Sequence, residues 1–484
     1  MLDAQASDPR AGLEGPASAS PLPWVRVAPG APYFITDDRA SWTPIGQNEA
    51  LPWPELRGLI GRRDLPAVEA YLRRLAASGV TCLRLMLEYA EDDGCYLEGP
   101  VGTFRPELVR AWDDLVAICA RLDLRLLLTP YDTFFTWNHW DRHPYNQDNG
   151  GPCPDRTRLM ACRETREAVK ARLAFASRRW GGSGALFAWD IWNEAHPVQA
   201  DGNVANIIDF IEDVGPFLRD FEMREHGRAH PQTMSVFGPE LDWKPWLRDP
   251  ILRHPALDFA NTHIYEEGTI DYPLDSVAAA VSTGRIVREM LEEIRDLRPW
   301  FDTEHGPIHS FKDHGVNLPE PLDDEYFRHV QWAHLASGGA GGGMRWPNRD
   351  PHLLTPGMLA AQRALAGFLP LIDWPRFRRR NLNAEVDAPP QLACFACGDD
   401  SQALIWLLRT DIVGPGGLLR PDAAPIPAPV KVPGLAAGRY AVAAWDTRAG
   451  RVVARFEVEH DGRGTLALDP PAVATDLALA IRRA

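Results

Sequence analysis

The chain has 484 residues, too many for one ordinary core, so two domains are expected. At 45% hydrophobic and 24% charged residues it has the composition of a globular protein rather than a disordered or fibrous one. A formal charge of −15, from 51 Lys and Arg against 66 Asp and Glu, argues against nucleic acid as the main partner, because phosphate binding needs a basic surface.

In chain order, the opening segment to about residue 30 has neither the basic start nor the apolar run of a secretory signal and reads as an Ala/Ser/Pro/Gly tail. No stretch is long and apolar enough to span a membrane. The seven cysteines, Cys82, Cys95, Cys119, Cys153, Cys162, Cys394 and Cys397, are odd in number and scattered, which is no disulfide framework. Together these features point to the cytoplasm.

The segment YFITDDRASWTPIG (33–46) is expected to supply a first strand. From about residue 65 a rhythm of amphipathic helix, short apolar strand and polar-aromatic loop sets in. The helix DLPAVEAYLRRLAASG (64–79) precedes the strand VTCLRLML (80–87). The helix PELVRAWDDLVAICARLD (106–123) precedes LRLLLTPY (124–131), and ETREAVKARLAFASRRWG (164–181) precedes LFAWDIW (186–192). The helix IIDFIEDVGPFLRDFEMREHG (207–227) precedes TMSVFG (233–238). Two more strands end at FANTHIY (259–265) and PWFDTEHG (299–306). The helix DDEYFRHVQWAHLASG (323–338) leads into the last, GGGMRW (341–346). Eight units of this spacing predict a (β/α)8 TIM barrel over residues 31–375, in the α/β class. No phosphate-binding glycine turn follows the first strand, as a doubly wound sheet would have. After residue 375 short strands broken by turns predict a small antiparallel β-sandwich over 376–484, with the Pro-rich PDAAPIPAPVKVPG (421–434) as a loop.

In such a barrel the functional residues stand at the C-terminal ends of the strands. Those ends carry Arg84, Tyr131 and Asp132, Asn193 and Glu194, Glu240 and Trp243, His263 and Tyr265, Glu304, and Trp346. The loop after strand three adds Trp137, Asn138 and His139. Two carboxylates facing each other across a pocket mouth are the requirement of glycoside hydrolysis, one to protonate the leaving oxygen and one to attack the anomeric carbon. Arg84 is expected to favour the ionised form of Glu304 through its fixed charge, and Tyr265 to hydrogen-bond the same carboxylate. Asn193 is expected to hold the 2-hydroxyl of the sugar, and Trp346 to form a floor beneath its ring.

The strings FAWDIWNEAHP and PWFDTEHGP resemble the acid/base and nucleophile strands of clan A glycoside hydrolases, and most of all glycoside hydrolase family 5, the cellulase and mannanase family. The resemblance covers about residues 31–375. It implies that Glu194 is the acid/base, Asn193 its hydroxyl-binding neighbour, and Glu304 the nucleophile. Arg84, His263, Tyr265 and Trp346 match supporting positions on strands two, six and eight. Many members carry a His just after strand three, where this chain has Tyr131 and Asp132; His139 is a possible substitute. The implied partner is a carbohydrate, with no cofactor and no metal. The expected activity is retaining hydrolysis of a β-linked gluco- or manno-configured glycan. A carbohydrate-binding pseudoenzyme and a metal-dependent barrel hydrolase, the latter prompted by His139 and His143, are the competing readings.

Overall fold

The protein is described by a computed structural model that covers residues 22–484 apart from 92, 132 and 314. Eight parallel barrel strands are present. Strand one is Gly46–Asn48, two Cys82–Met86, three Arg125–Thr129 and four Leu186–Asp190; strand five is split into Gln232–Thr233 and Ser235–Phe237. Strand six is Ala260–His263, seven Trp300–Phe301 and eight Met344–Arg345. Strands eight, one, two, three, four and the start of five form one parallel run, and the end of five, six and seven form another. The bridges Ile264 to His305 and His305 to Arg345 carry strand six through strand seven to strand eight and close the barrel.

Helices Leu65–Ala77, Pro106–Arg121, Arg163–Trp180, Val204–His226, Ser276–Ile294, Glu320–Ala336 and Pro356–Phe368 surround it. Their starts are written in the sequence. Asp64, Asn203, Asp275 and Thr355 each accept a hydrogen bond from a backbone N–H of the first turn.

Strand one lies later than expected. Residues 33–42 instead join Val25–Val27 in a three-stranded antiparallel sheet with Phe34–Thr36 and Ser41–Trp42. Phe34 and Trp42 from this sheet plug the lower end of the barrel. Phe34 meets Phe187 at 5.0 Å and Phe259 at 5.5 Å, and Trp42 meets Phe187 at 4.6 Å between ring centroids. Residues 22–30, read from composition as tail, belong to this plug; Trp24 is buried and stacks on His230 at 3.9 Å. Burial of such large apolar rings outweighs the polar look of the segment around them.

The glycine-rich run before strand eight serves close packing. A Cβ on Gly341 would stand 2.4 Å from the Pro44 carbonyl oxygen, and Gly343 has φ +74°.

The C-terminal unit holds a six-stranded antiparallel sheet and a two-stranded sheet, Val430–Pro433 with Thr465–Leu468. The Pro-rich segment is therefore part strand, its prolines flanking a two-stranded edge that needs few donors. The strand Leu392–Gly398 sends Cys394 toward the sandwich interior and Cys397 toward the barrel side. The barrel-facing side of the large sheet, with Phe395, Trp406 and Trp445, shares one apolar cluster with Trp332, Leu365 and Phe368 of the last two helices. Across this contact Arg328 pairs with Asp476 at 2.7 Å and Arg448 with Glu325 at 2.8 Å; within the sheet, Trp406 donates to the same Asp476 at 3.0 Å.

Candidate active site

The upper end of the barrel opens on a pocket of about 510 Å³. Eight of the residues singled out in the sequence fall on its wall: Trp137, Asn138, Asn193, Glu194, Glu240, Tyr265, Glu304 and Trp346. Arg84 and His263 lie directly beneath, both fully buried.

Arg84 ties the floor together. One amino group donates to Glu304 Oε2 at 3.1 Å and to Asn48 Oδ1 at 2.9 Å; the other donates to Asp190 Oδ2 at 3.2 Å and to Asn193 Oδ1. A buried guanidinium is tolerated here because carboxylates and amides at the ends of three strands, one, four and seven, receive its protons. Glu304 also accepts from Tyr265 Oη at 2.8 Å. Burial, followed by the charge of Glu304, pushes the Tyr265 hydroxyl well above its ordinary pKa, so it stays a donor. The backbone of Glu304 is fixed by Asp302, whose carboxylate accepts the Glu304 N–H at 3.0 Å and contacts His305 Nδ1 at 2.6 Å.

Glu194 has the opposite surroundings. Its φ of +47° is left-handed, a conformation that costs a non-glycine residue roughly 1–2 kcal/mol. The strain is held by Ser235, whose hydroxyl accepts the Glu194 N–H at 2.9 Å and whose carbonyl accepts the Ala195 N–H at 2.8 Å. Burial raises the Glu194 carboxyl to about 7, opposed by the charges of Arg84 and Lys312 and assisted by Glu240. Its partner is His263 Nδ1, at 2.7 Å from Oε1. Burial pushes the His263 imidazole down to about 4, so it is neutral near pH 7. Thr303 Oγ1 donates to Asn261 Oδ1 at 2.8 Å and lies 3.1 Å from His263 Nε2. Thr303 therefore accepts from Nε2–H, and Nδ1 is left as an acceptor. The atom that fills the Nδ1 contact is then the proton of a neutral Glu194 carboxyl group.

The two carboxylates stand close. One oxygen of Glu194, one of Glu304 and His263 Nδ1 all lie within 4.8 Å of one another. This is near the roughly 5–5.5 Å spacing of direct carboxylate attack and short of the 6.5–9.5 Å that leaves room for an intervening water.

Other expected site residues fall elsewhere. Tyr131 is turned away from the pocket, buried against Arg172 with the guanidinium 4.4 Å from its ring centre, and against Tyr145 and Trp192. His139 stacks on Phe135 and is not on the pocket wall. Trp243 is 70% exposed at the end of the helical turn Gly238–Trp243, outside the pocket. Asp132 lies outside the described residues. His143 is buried and bonds Glu88 at 2.9 Å, away from His139. The pocket residues that sequence reasoning missed include Phe134, Phe135, Asp271, His309 and Lys312. All come from loops between the motifs, and only the aromatic richness of the strand-three loop hinted at any of them.

No family model matches the sequence, and no curated protein matches it. Solved structures do match. A glycoside hydrolase aligns over 96% of this chain and 97% of its own, at 12% identity and a TM-score of 0.58. A family 5 glycoside hydrolase from Bacteroides vulgatus aligns over 95% of this chain and 94% of its own, at 11% identity and a TM-score of 0.58. A family 5 mannosidase from Rhizomucor miehei aligns over 68% of this chain and 86% of its own, at 14% identity and a TM-score of 0.51. Across barrel and sandwich together, this chain shares the fold of the first two of these structures.

Proposed function

We propose that the protein is a retaining glycoside hydrolase, with Glu194 as general acid/base and Glu304 as nucleophile. The observation that carries this reading is the contrast between two carboxyls within one reaction distance. Glu194 is held protonated near neutrality, and Glu304 accepts from a guanidinium and a phenol. In the first step Glu304 attacks the anomeric carbon as Glu194 gives its proton to the departing glycosidic oxygen. The glycosidic C–O bond breaks and an ester to Glu304 forms. In the second step Glu194, now ionised, takes a proton from water, the water oxygen attacks the same carbon, and Glu304 leaves as carboxylate. Two inversions retain the configuration.

Asn193 Nδ2, which already donates to Thr133 Oγ1 at 3.1 Å, keeps a second N–H for the 2-hydroxyl of the sugar. Trp346 lies on the wall as a stacking face. The substrate class is a β-linked gluco- or manno-configured glycan. The helical turn Thr133–Asn138 and the turn at His309–Asp313 approach each other through Lys312, whose ammonium stands 5.3 Å from the Phe134 ring centre and 5.9 Å from that of Trp346, and this narrowing favours removal of terminal sugars.

Replacing Glu304 by Gln should lower kcat by several orders of magnitude, on the scale of about 10⁴-fold or more seen when a covalent nucleophile is removed. Azide should rescue a Glu304→Ala variant and give a glycosyl azide of inverted configuration. Near-normal turnover of Glu304→Gln on an active substrate would refute the assignment.

One observation favours a second reading: Glu194, His263 and Glu304 are a set that can ligate a metal. The 2.7 Å contact of His263 with Glu194 is instead the length of a hydrogen bond. Full activity after exhaustive chelation would eliminate metal-assisted hydrolysis.

A further inference from the structure

Lys312 lies in the turn that follows strand seven and stands on the wall of the same pocket as the two glutamates. Its ammonium is 5.3 Å from the ring centre of Phe134, 5.9 Å from that of Phe135 and 5.9 Å from that of Trp346. The carboxylates of the pocket each have a nearer partner. Arg84 and Tyr265 serve Glu304, and His263 serves Glu194. Lys244 and His196 serve Glu240, and His309 serves Asp271 at 3.1 Å. Lys312 makes no hydrogen bond or ion pair among the described residues, and its side chain is exposed.

Three aromatic faces hold this cation in place without neutralising it, because a ring quadrupole attracts positive charge but carries none. The chain as a whole has a formal charge of −15, which repels anions from most of its surface. Among the described residues of the pocket wall, Lys312 is thus the lysine or arginine left to meet a negative ligand group. Phe134, Phe135 and Trp346 beneath it offer stacking faces to the ring that carries the group.

We propose that Lys312 binds an oxyanion borne by the sugar, either the C-6 carboxylate of a uronic acid or a sulfate ester at O-6, and so makes the pocket selective for acidic glycans. The inference rests on the reading of the pocket as a sugar site. A lysine offers a point charge with three rotatable donors rather than a fixed fork, so both oxyanions fit the chemistry.

The test is a ligand-observed NMR titration of the full chain. The uronide probes are methyl β-D-glucuronide and methyl β-D-mannuronide. The ester probes are the 6-sulfates of methyl β-D-glucoside and methyl β-D-mannoside, and the two unmodified glycosides are the neutral references. At least one acidic probe should bind roughly tenfold or more tightly than its neutral parent. That ratio should fall toward one in Lys312→Met and persist in part in Lys312→Arg. Preference for the uronides alone identifies a carboxylate, and preference for the 6-sulfates alone identifies an ester. A ratio near one in the unmodified chain, a ratio that survives Lys312→Met, or no detectable binding of any acidic probe overturns the proposal. Hydrolysis is read separately. A chain that binds acidic probes through Lys312 but cleaves no glycoside would refute the hydrolase reading and leave the anion site standing.

Discussion

Burial raises the Glu194 carboxyl to about 7, and the first step of the proposed mechanism draws on its acid form. The carboxyl is raised above its ordinary value, so the acid form persists at pH values where an ordinary glutamate is ionised and is lost as the pH rises through about 7. On an active substrate, kcat/KM should fall on the alkaline side with an apparent pKa of about 7. Glu240 raises that value by its negative charge, so Glu240→Gln should move the limb toward lower pH; a shift to higher pH would contradict the electrostatic picture. The proposed catalytic pair could be picked out in the sequence because barrel chemistry collects at strand ends, and Asn193–Glu194 and Glu304 each follow an apolar strand directly. Lys312 was not legible. It stands in a turn well past the end of strand seven, sits in no motif, and gains its place only when that turn meets the helix at Thr133–Asn138. Tyr131 misled for a related reason. It ends a strand as expected, but Arg172, on a helix that follows later in the chain, draws its ring away from the pocket.

Among the elements, the connection after strand three carries the most aromatic part of the pocket wall and is anchored from below. Arg172 pairs with Glu88 at 2.9 Å and Glu98 at 2.6 Å, and donates to the Pro130 carbonyl at 3.0 Å. Glu88 in turn holds His143. Burial alone would raise the Glu88 carboxyl, but the charge of Arg172 and the bond from His143 outweigh it and hold it below its ordinary value. Arg172→Met leaves Glu88 and Glu98 buried without their cation and should cost about 3–5 kcal/mol in urea unfolding. A loss below about 1 kcal/mol would mean that water reaches this cluster. The order of strands and helices was readable from periodicity. The first strand was not, because the plug sheet ahead of it has the same apolar signature and a barrel strand of three residues leaves little pattern of its own. The strand Val430–Pro433 hid for a different reason, since prolines on a two-stranded edge look like a loop.

For the whole molecule, the division into barrel and sandwich is visible in composition, but their union is not. Helices Glu320–Ala336 and Pro356–Phe368 face the barrel on one side and the large sheet on the other, and both faces belong to one continuous apolar cluster. The Arg328–Asp476 pair across it is likewise buried, with Asp476 held well below its ordinary pKa because Arg328 and His329 outweigh the effect of burial. No helix among the described residues is long and apolar enough to cross a membrane. Melting the sandwich would bare Trp332 and Phe368, each packed between the two halves, and melting the barrel helices would strip the sheet of its support. Each half would thus lose part of the apolar cluster it shares with the other. Calorimetry should therefore record one heat-absorption peak whose van't Hoff and calorimetric enthalpies agree, and two separable peaks would show that the shared cluster does not couple them.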